Sequence, residues 1–203
     1  MVMNIIEESV KKLEEAIHDT GCDDGAVTLR RNPDAVNCQY ERGACMESCY
    51  GGRTGEFVTS DPVEATTKIS FMFGAELTRP QAKSAACAIL NVLTVFLCMS
   101  RGVRACQKPA HRPCLTELKE KITGKRVYSV EPIPVLGYEL GSSVAPDPQS
   151  ADIILINNEG LVNEQVSEII REYRGKKEIL CIGPSTSGVA GLERLERFCP
   201  YGT

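Results

Sequence analysis

One stretch near the end of the chain restricts the fold more than any other. Ala151-Asp-Ile-Ile-Leu-Ile-Asn-Asn-Glu-Gly160 carries a short unbroken apolar run, Ile153 to Ile156, as expected of a strand covered on both faces. Beyond it, Leu161, Val162, Val166, Ile169, Ile170 and Tyr173 recur at helical spacing, with charged residues between them. Gly175 supplies a stop. Glu178-Ile-Leu-Cys-Ile182 then reads as a second buried strand, closed by Gly183-Pro184-Ser185-Thr186. A strand, helix and strand of this length predict two parallel strands joined by a right-handed crossover, so that both carboxyl ends reach one edge of a sheet. Open α/β sheets bind ligands at that edge.

The 203 residues suffice for one large or two small domains with a buried core. Asn4 to Asp19 is an amphipathic helix by pattern, with Ile5, Ile6, Val10, Leu13 and Ile17 on one face. Ala26 to Arg30 and Glu56 to Thr59 are short strand candidates. Ser60-Asp61-Pro62-Val63-Glu64 has the signals of a helix start and predicts a helix to about Leu77. Thr78-Arg79-Pro80-Gln81 repeats them and predicts a second helix to about Ser100, apolar nearly all round. Its densest part, Ala85 to Met99, would cover roughly 22 Å as a helix, short of the ~30 Å hydrocarbon core, so it reads as a buried helix and not a membrane span. Arg101 to Pro113 reads as an exposed connector, Cys114 to Ile122 as a short helix, Arg126 to Val130 as a strand, and Gly191 to Phe198 as a last helix. The expected fold class is α/β: an α+β domain over residues 1–120 with a buried helix pair, then a small Rossmann-like parallel sheet over residues 121–203.

Three of the predicted strands end in polar loops: Glu131 after the first, Asn157-Asn158-Glu159-Gly160 after the second, and Gly183 to Thr186 after the third. If the strands are parallel, these loops meet. The candidate ligand-binding residues are therefore Asn157, Asn158, Glu159, Asn163, Gly183, Ser185 and Thr186, with the last loop offering N–H groups and hydroxyls to an anion. Ordinary turn chemistry and helix capping account for each of these residues taken singly. Neither a Gly-x-Gly-x-x-Gly after a strand nor a Gly-Lys-Ser/Thr phosphate loop is present, which argues against a standard nucleotide site.

The ten cysteines supply a second candidate. Cys45-Met-Glu-Ser-Cys49, with Cys38 upstream, has ligand-like spacing, and Cys106, His111 and Cys114 form another set of soft or borderline donors. Either could hold a transition metal or an iron–sulfur cluster, although neither set matches a strong signature. Cys87, Cys98 and Cys181 lie within apolar runs and read as small core residues. His18 reads as surface. The basic stretch Arg101, Arg104, Lys108 and Arg112 reads as a solvated connector.

The net charge of −4 and the absence of Trp argue against nucleic acid as a general partner. The charged amphipathic N-terminal segment does not have the pattern of a secretory signal, so a cytoplasmic location is expected, where thiols stay reduced. Self-association into a homo-oligomer is left open.

Residues Ala151 to Ile156, Gly160-Leu-Val-Asn163 and Leu180-Cys-Ile-Gly-Pro-Ser-Thr186 resemble the C-terminal domain of a family of heavy-metal chelatases of undefined activity, which join an enolase-N-terminal-like domain to a Rossmann-like domain. The resemblance covers roughly thirty-five residues. It implies a ligand or metal-complex site near Asn163 and Gly183 to Thr186. The expected function is binding of a metal, a metal chelate or a small anionic metabolite at the sheet edge. The alternatives are an enzyme of a cofactor-biosynthesis pathway that uses a cysteine or Glu159, and a non-catalytic scaffold subunit.

Overall fold

The structure, a computed structural model, describes residues 3–137 and 143–203. Helix α1 (Ile5–Ile17) starts on a capping box. Asn4 Oδ1 accepts from the N–H groups of Ile6 and Glu7, each at 3.0 Å, and the Glu7 carboxylate returns to the Asn4 N–H at 3.0 Å. Four strands follow: β1 (Ala26–Arg31), β2 (Met46–Tyr50), β3 (Arg53–Phe57) and β4 (Ala65–Lys68). They form an antiparallel sheet in the order β3-β2-β1-β4. The β2–β3 hairpin turns on Gly51 and Gly52, with φ of +53° and +73°, the pair of left-handed residues a tight two-residue hairpin demands.

The helix expected over residues 62–77 does not form. Ala65–Lys68 instead lies beside β1, with Thr67 opposite Val27, and Ile69–Met72 makes a single tight turn. The β-branched pair Thr66-Thr67 suits an edge strand, and the supposed cap is used elsewhere, since Asp61 accepts from the Gln81 side chain at 2.5 Å. The first half therefore has one buried helix where a pair was expected. That helix, α2 (Pro80–Phe96), begins with Pro80 at its first position and is buried continuously from Lys83 to Thr94.

Helix α3 (His111–Ile122) leads to strand β5 (Val127–Ser129), and a short helix α4 (Pro134–Gly137) follows. The second half continues with β6 (Ile153–Ile156), α5 (Asn158–Val162), α6 (Val166–Tyr173), β7 (Glu178–Ile182), α7 (Ser187–Glu193) and β8 (Glu196–Phe198). The strands form a parallel sheet in the order β5-β6-β7-β8. The single helix expected over 161–173 is two, because Asn163 caps the end of α5 and its side chain turns back to the Gln165 N–H at 2.7 Å. The expected terminal helix ends early at Arg194, whose φ is +53°. Glu196–Phe198 then adds a fourth parallel strand alongside Leu180–Ile182.

Side-chain alternation divides the parallel sheet between two apolar layers. Ile153, Leu155, Leu180 and Ile182 face α3 and α4 through Leu118, Ile122 and Leu136. Ile154, Ile156, Ile179 and Cys181 join the larger core, which also takes in α1, α2 and the antiparallel sheet. The larger core thus draws on both sides of residue 120. Helix α2 is clamped there without room to spare: a Cβ on Gly55 of β3 would come within 2.6 Å of the Val92 nitrogen, and one on Gly188 of α7 within 2.8 Å of the Asn91 nitrogen. Contact with β2, β3, α1 and α7 surrounds α2 and explains why it is hydrophobic around its circumference. Among the described residues, no helix is long and apolar enough to cross a membrane.

Candidate functional site

The carboxyl ends of the parallel strands gather at one edge, and two chemically different regions lie along it. The first is polar. Asn157 caps α5 by accepting from the Gly160 N–H at 2.8 Å, while its amide donates to the Pro132 carbonyl at 3.3 Å. Asn158 donates to the Val58 carbonyl at 2.9 Å and accepts from the Tyr40 hydroxyl at 2.9 Å. Asn163 donates to Glu131 at 2.6 Å. Glu159 remains exposed; partial burial and the neighbouring Glu131 raise its carboxyl above the usual range. The loops after β5 and β6 therefore meet, as the parallel arrangement requires, but Asn157 and Asn158 are buried and spend their hydrogen bonds on the protein.

The loop after β7 is similarly engaged. Ser185 Oγ accepts from the Val58 N–H at 2.8 Å, Thr186 Oγ1 donates to the Gly183 carbonyl at 3.0 Å, and Ser187 Oγ donates to the Gly102 carbonyl at 2.9 Å. Asn91 Oδ1 accepts the Gly188 N–H at 2.6 Å. Of the hydroxyls expected to face an anion, those of Ser185 and Ser187 instead fasten the parallel sheet to the first half of the chain, and that of Thr186 closes its own loop. Gly183 and Pro184 face outward into the second region.

That region is a cavity of about 270 Å³ at the ends of β7 and β8, walled by residues 37–39, 105–106, α3 and the turn after β8. Four cysteines line it: Cys38, Cys106, Cys114 and Cys199, accompanied by His111. The remaining walls are largely apolar, with Leu115, Leu118, Val135, Ile182, Pro184 and Phe198. The expected grouping of Cys38 with Cys45 and Cys49 is thus divided. Cys38 joins the cavity, whereas Cys45 is buried just before β2 and Cys49 sits on β2 beside Thr54. The register of β2 decides this by committing those residues to the antiparallel sheet. Cys106, His111 and Cys114 do come together, with His111 Nε2 3.3 Å from the Cys106 carbonyl.

The connector that carries Cys106 is not the exposed loop expected from its basic residues. Val103 and Cys106 are buried. The Val103 carbonyl accepts from the Glu56 N–H at 2.9 Å, and Arg104 exchanges backbone hydrogen bonds with Thr203 at 2.8 and 3.1 Å. The Ala105 N–H donates to the Glu56 carboxylate at 2.7 Å. The connector and the C-terminal tail are therefore laced together, which brings Cys106 and Cys199 to the same wall. Cys87 and Cys181 are core residues as expected, but Cys98 is exposed at a left-handed position, φ +58°.

Burial pushes the Cys38 thiol up to about 11 and the Cys114 thiol up to about 12. Each of these two is also raised by the other cavity cysteines, since ionising one thiol disfavours ionising its neighbours. Opposing this, the Gln39 side chain favours the ionised form of Cys38 by hydrogen bonding, and Arg197 and the Gly202 N–H do the same for Cys199. Among the described residues, Gln39 Oε1 is the buried side-chain polar atom with no hydrogen-bond partner. Cys199 and Gln39 are the members sequence reasoning missed. The pairing of Cys199 with Pro200 was the available signal for Cys199; nothing in the sequence marks Gln39.

The fold and cavity define an α/β protein with a thiol-lined pocket on the carboxyl edge of its parallel sheet. A scan against family models, a search of curated proteins and a search of solved structures each return no match.

Proposed function

We propose that this chain binds a metal ion or metal complex in the cavity at the carboxyl edge of the parallel sheet. The observation that carries this is the convergence of Cys38, Cys106, Cys114 and Cys199, from four separate segments, on one largely apolar hollow. Thiolates are soft ligands that select zinc, copper(I) and iron–sulfur centres over hard cations. An apolar surround strengthens such ligation by limiting competition from water. The resemblance of residues 151–186 to the chelatase family points the same way, although the donors proposed here are cysteines and not the loop hydroxyls. A purely anionic metabolite is less well served, because Ser185, Thr186 and Ser187 already have protein partners.

An enzyme acting through a cysteine nucleophile is the competing class. Burial keeps the cavity thiols protonated at neutral pH in the absence of a cation, and a protonated thiol is a poor nucleophile. The test is metal analysis and absorption spectroscopy on the full chain purified without oxygen. Bound metal with thiolate charge-transfer absorption is expected. Failure to retain metal, combined with no thermal stabilisation by zinc, cobalt or iron, would overturn the proposal.

A further inference from the structure

We infer that the cavity takes an iron–sulfur cluster ligated by Cys38, Cys106, Cys114 and Cys199, and not a single metal ion. The inference rests on the metal-binding proposal and narrows it to one class of centre. Its first support is spacing. Thiolates around one tetrahedral ion sit ~2.3 Å from the metal, hence within about 4 Å of one another. Among the described residues, no three of His, Cys, Asp and Glu are grouped to hold a metal ion. Yet the four cysteines share one cavity, and those of Cys38, Cys114 and Cys199 are each raised electrostatically by others of the set. The four thiols thus line one hollow without being grouped as the donors of a single ion, an arrangement that suits a centre spanning the hollow. A cluster places its irons and sulfides between the cysteines, and four cysteines are its usual complement.

The second support is volume: about 270 Å³ is several times the ~30 Å³ share of one water, and a lone ion would leave most of it unfilled. The third is the set of groups aimed at sulfur. Burial raises the Cys38 and Cys199 thiols, and Gln39, Arg197 and the Gly202 N–H each offset part of that rise; hydrogen bonds to sulfur are among the determinants of cluster potential. The unpartnered Gln39 oxygen lies on the same wall. Cys199 is followed by Pro200, a pairing also found at a cluster-ligating cysteine of bacterial ferredoxins. Arg112 and Arg197 supply positive charge beside an anionic cluster.

Assembly forms four sulfur–iron bonds, and each thiol releases its proton to solvent. Iron supplied as ferrous and ferric salts together with sulfide needs no further oxidant or reductant. The test is anaerobic reconstitution of the full chain with these reagents, read by iron and acid-labile sulfide content and by visible absorption. Iron and sulfide in equal amounts, with broad sulfide-to-iron charge-transfer absorption, are expected. Cys38→Ala, Cys106→Ala, Cys114→Ala and Cys199→Ala should each lose most of both. Cys45→Ala and Cys49→Ala should retain them. Circular dichroism of the metal-free variants separates loss of ligation from loss of folding. For any variant that does not fold, protection of the named cysteine from alkylation in the reconstituted native chain replaces it. Binding of zinc or cobalt alone, with thiolate-to-metal absorption and no uptake of sulfide, would overturn the cluster while leaving a metal-binding function. Uptake of neither would overturn both.

Discussion

The side-chain amide of Asn91 donates to the Ser185 carbonyl at 3.0 Å, tying the middle of α2 to the loop that leaves β7. The same amide donates to the Glu56 carbonyl at 2.8 Å, and its oxygen accepts from Gly188. One fully buried side chain thereby links β3, α2 and α7 and fixes the loop whose Gly183 and Pro184 wall the cavity.

Replacing Asn91 with Ala leaves two carbonyls and one N–H without their partner in a dry interior. Each such loss costs roughly 1–3 kcal/mol, so Asn91→Ala should destabilise by about 3 kcal/mol or more. Urea denaturation measures it, and a change below about 1 kcal/mol would show that water or repacking satisfies those groups.

Gly188 and Gly55 are placed by contact with α2, and neither has a left-handed φ. Gly188→Ala and Gly55→Ala should each cost about 1–3 kcal/mol through overpacking. Gly191→Ala, on the same short helix as Gly188, meets nothing closer than 3.4 Å and should be neutral or stabilising by up to ~1 kcal/mol. Equal effects at Gly188 and Gly191 would contradict the close approach.

Tyr40 donates to Asn158 from the chain segment that also carries Cys38 and Gln39. Tyr40→Phe removes that hydrogen bond at a cost of about 0.5–1.5 kcal/mol. Because it loosens the segment at its anchor, bound metal should dissociate faster to a chelator, followed by the decay of visible absorption. Unchanged dissociation would assign Tyr40 to stability alone.

The raised thiols set the sign of a pH dependence. A group whose folded pKa lies above its unfolded value contributes stability that is fully present below the unfolded pKa, about 8.5 for cysteine, and is lost as pH rises through the folded value. For Cys38 and Cys114 the loss should extend toward about 11 and 12. The denaturation midpoint of metal-free protein should therefore fall from pH 8 upward, and fall less in the Cys38→Ala, Cys114→Ala double variant. Parallel profiles for the two proteins would show that these thiols are not the titrating groups. Bound metal should reverse the trend by holding them as thiolates.

Much of the parallel sheet is legible from the chain alone, because strands buried on both faces need continuous apolar runs, and Ile153–Ile156 and Glu178–Ile182 largely supply them. The capping box at Asn4 and the burial of α2 are equally local in origin. Cap-like residues at 60–64, by contrast, predict a helix where an edge strand forms, since pairing with β1 outweighs a start signal worth about 1 kcal/mol. The cavity is still less legible. Cys38 is separated from Cys199 by most of the chain, and only the antiparallel sheet, the connector pairing Arg104 with Thr203, and the fourth parallel strand bring the two to one wall. Sequence by itself determined that β6, β7 and α2 must be buried, since hydrophobic periodicity is written locally. Tertiary structure alone decided which thiols are neighbours and which polar loops are already satisfied, because hydrogen-bond partners and cavity walls come from residues far apart along the chain.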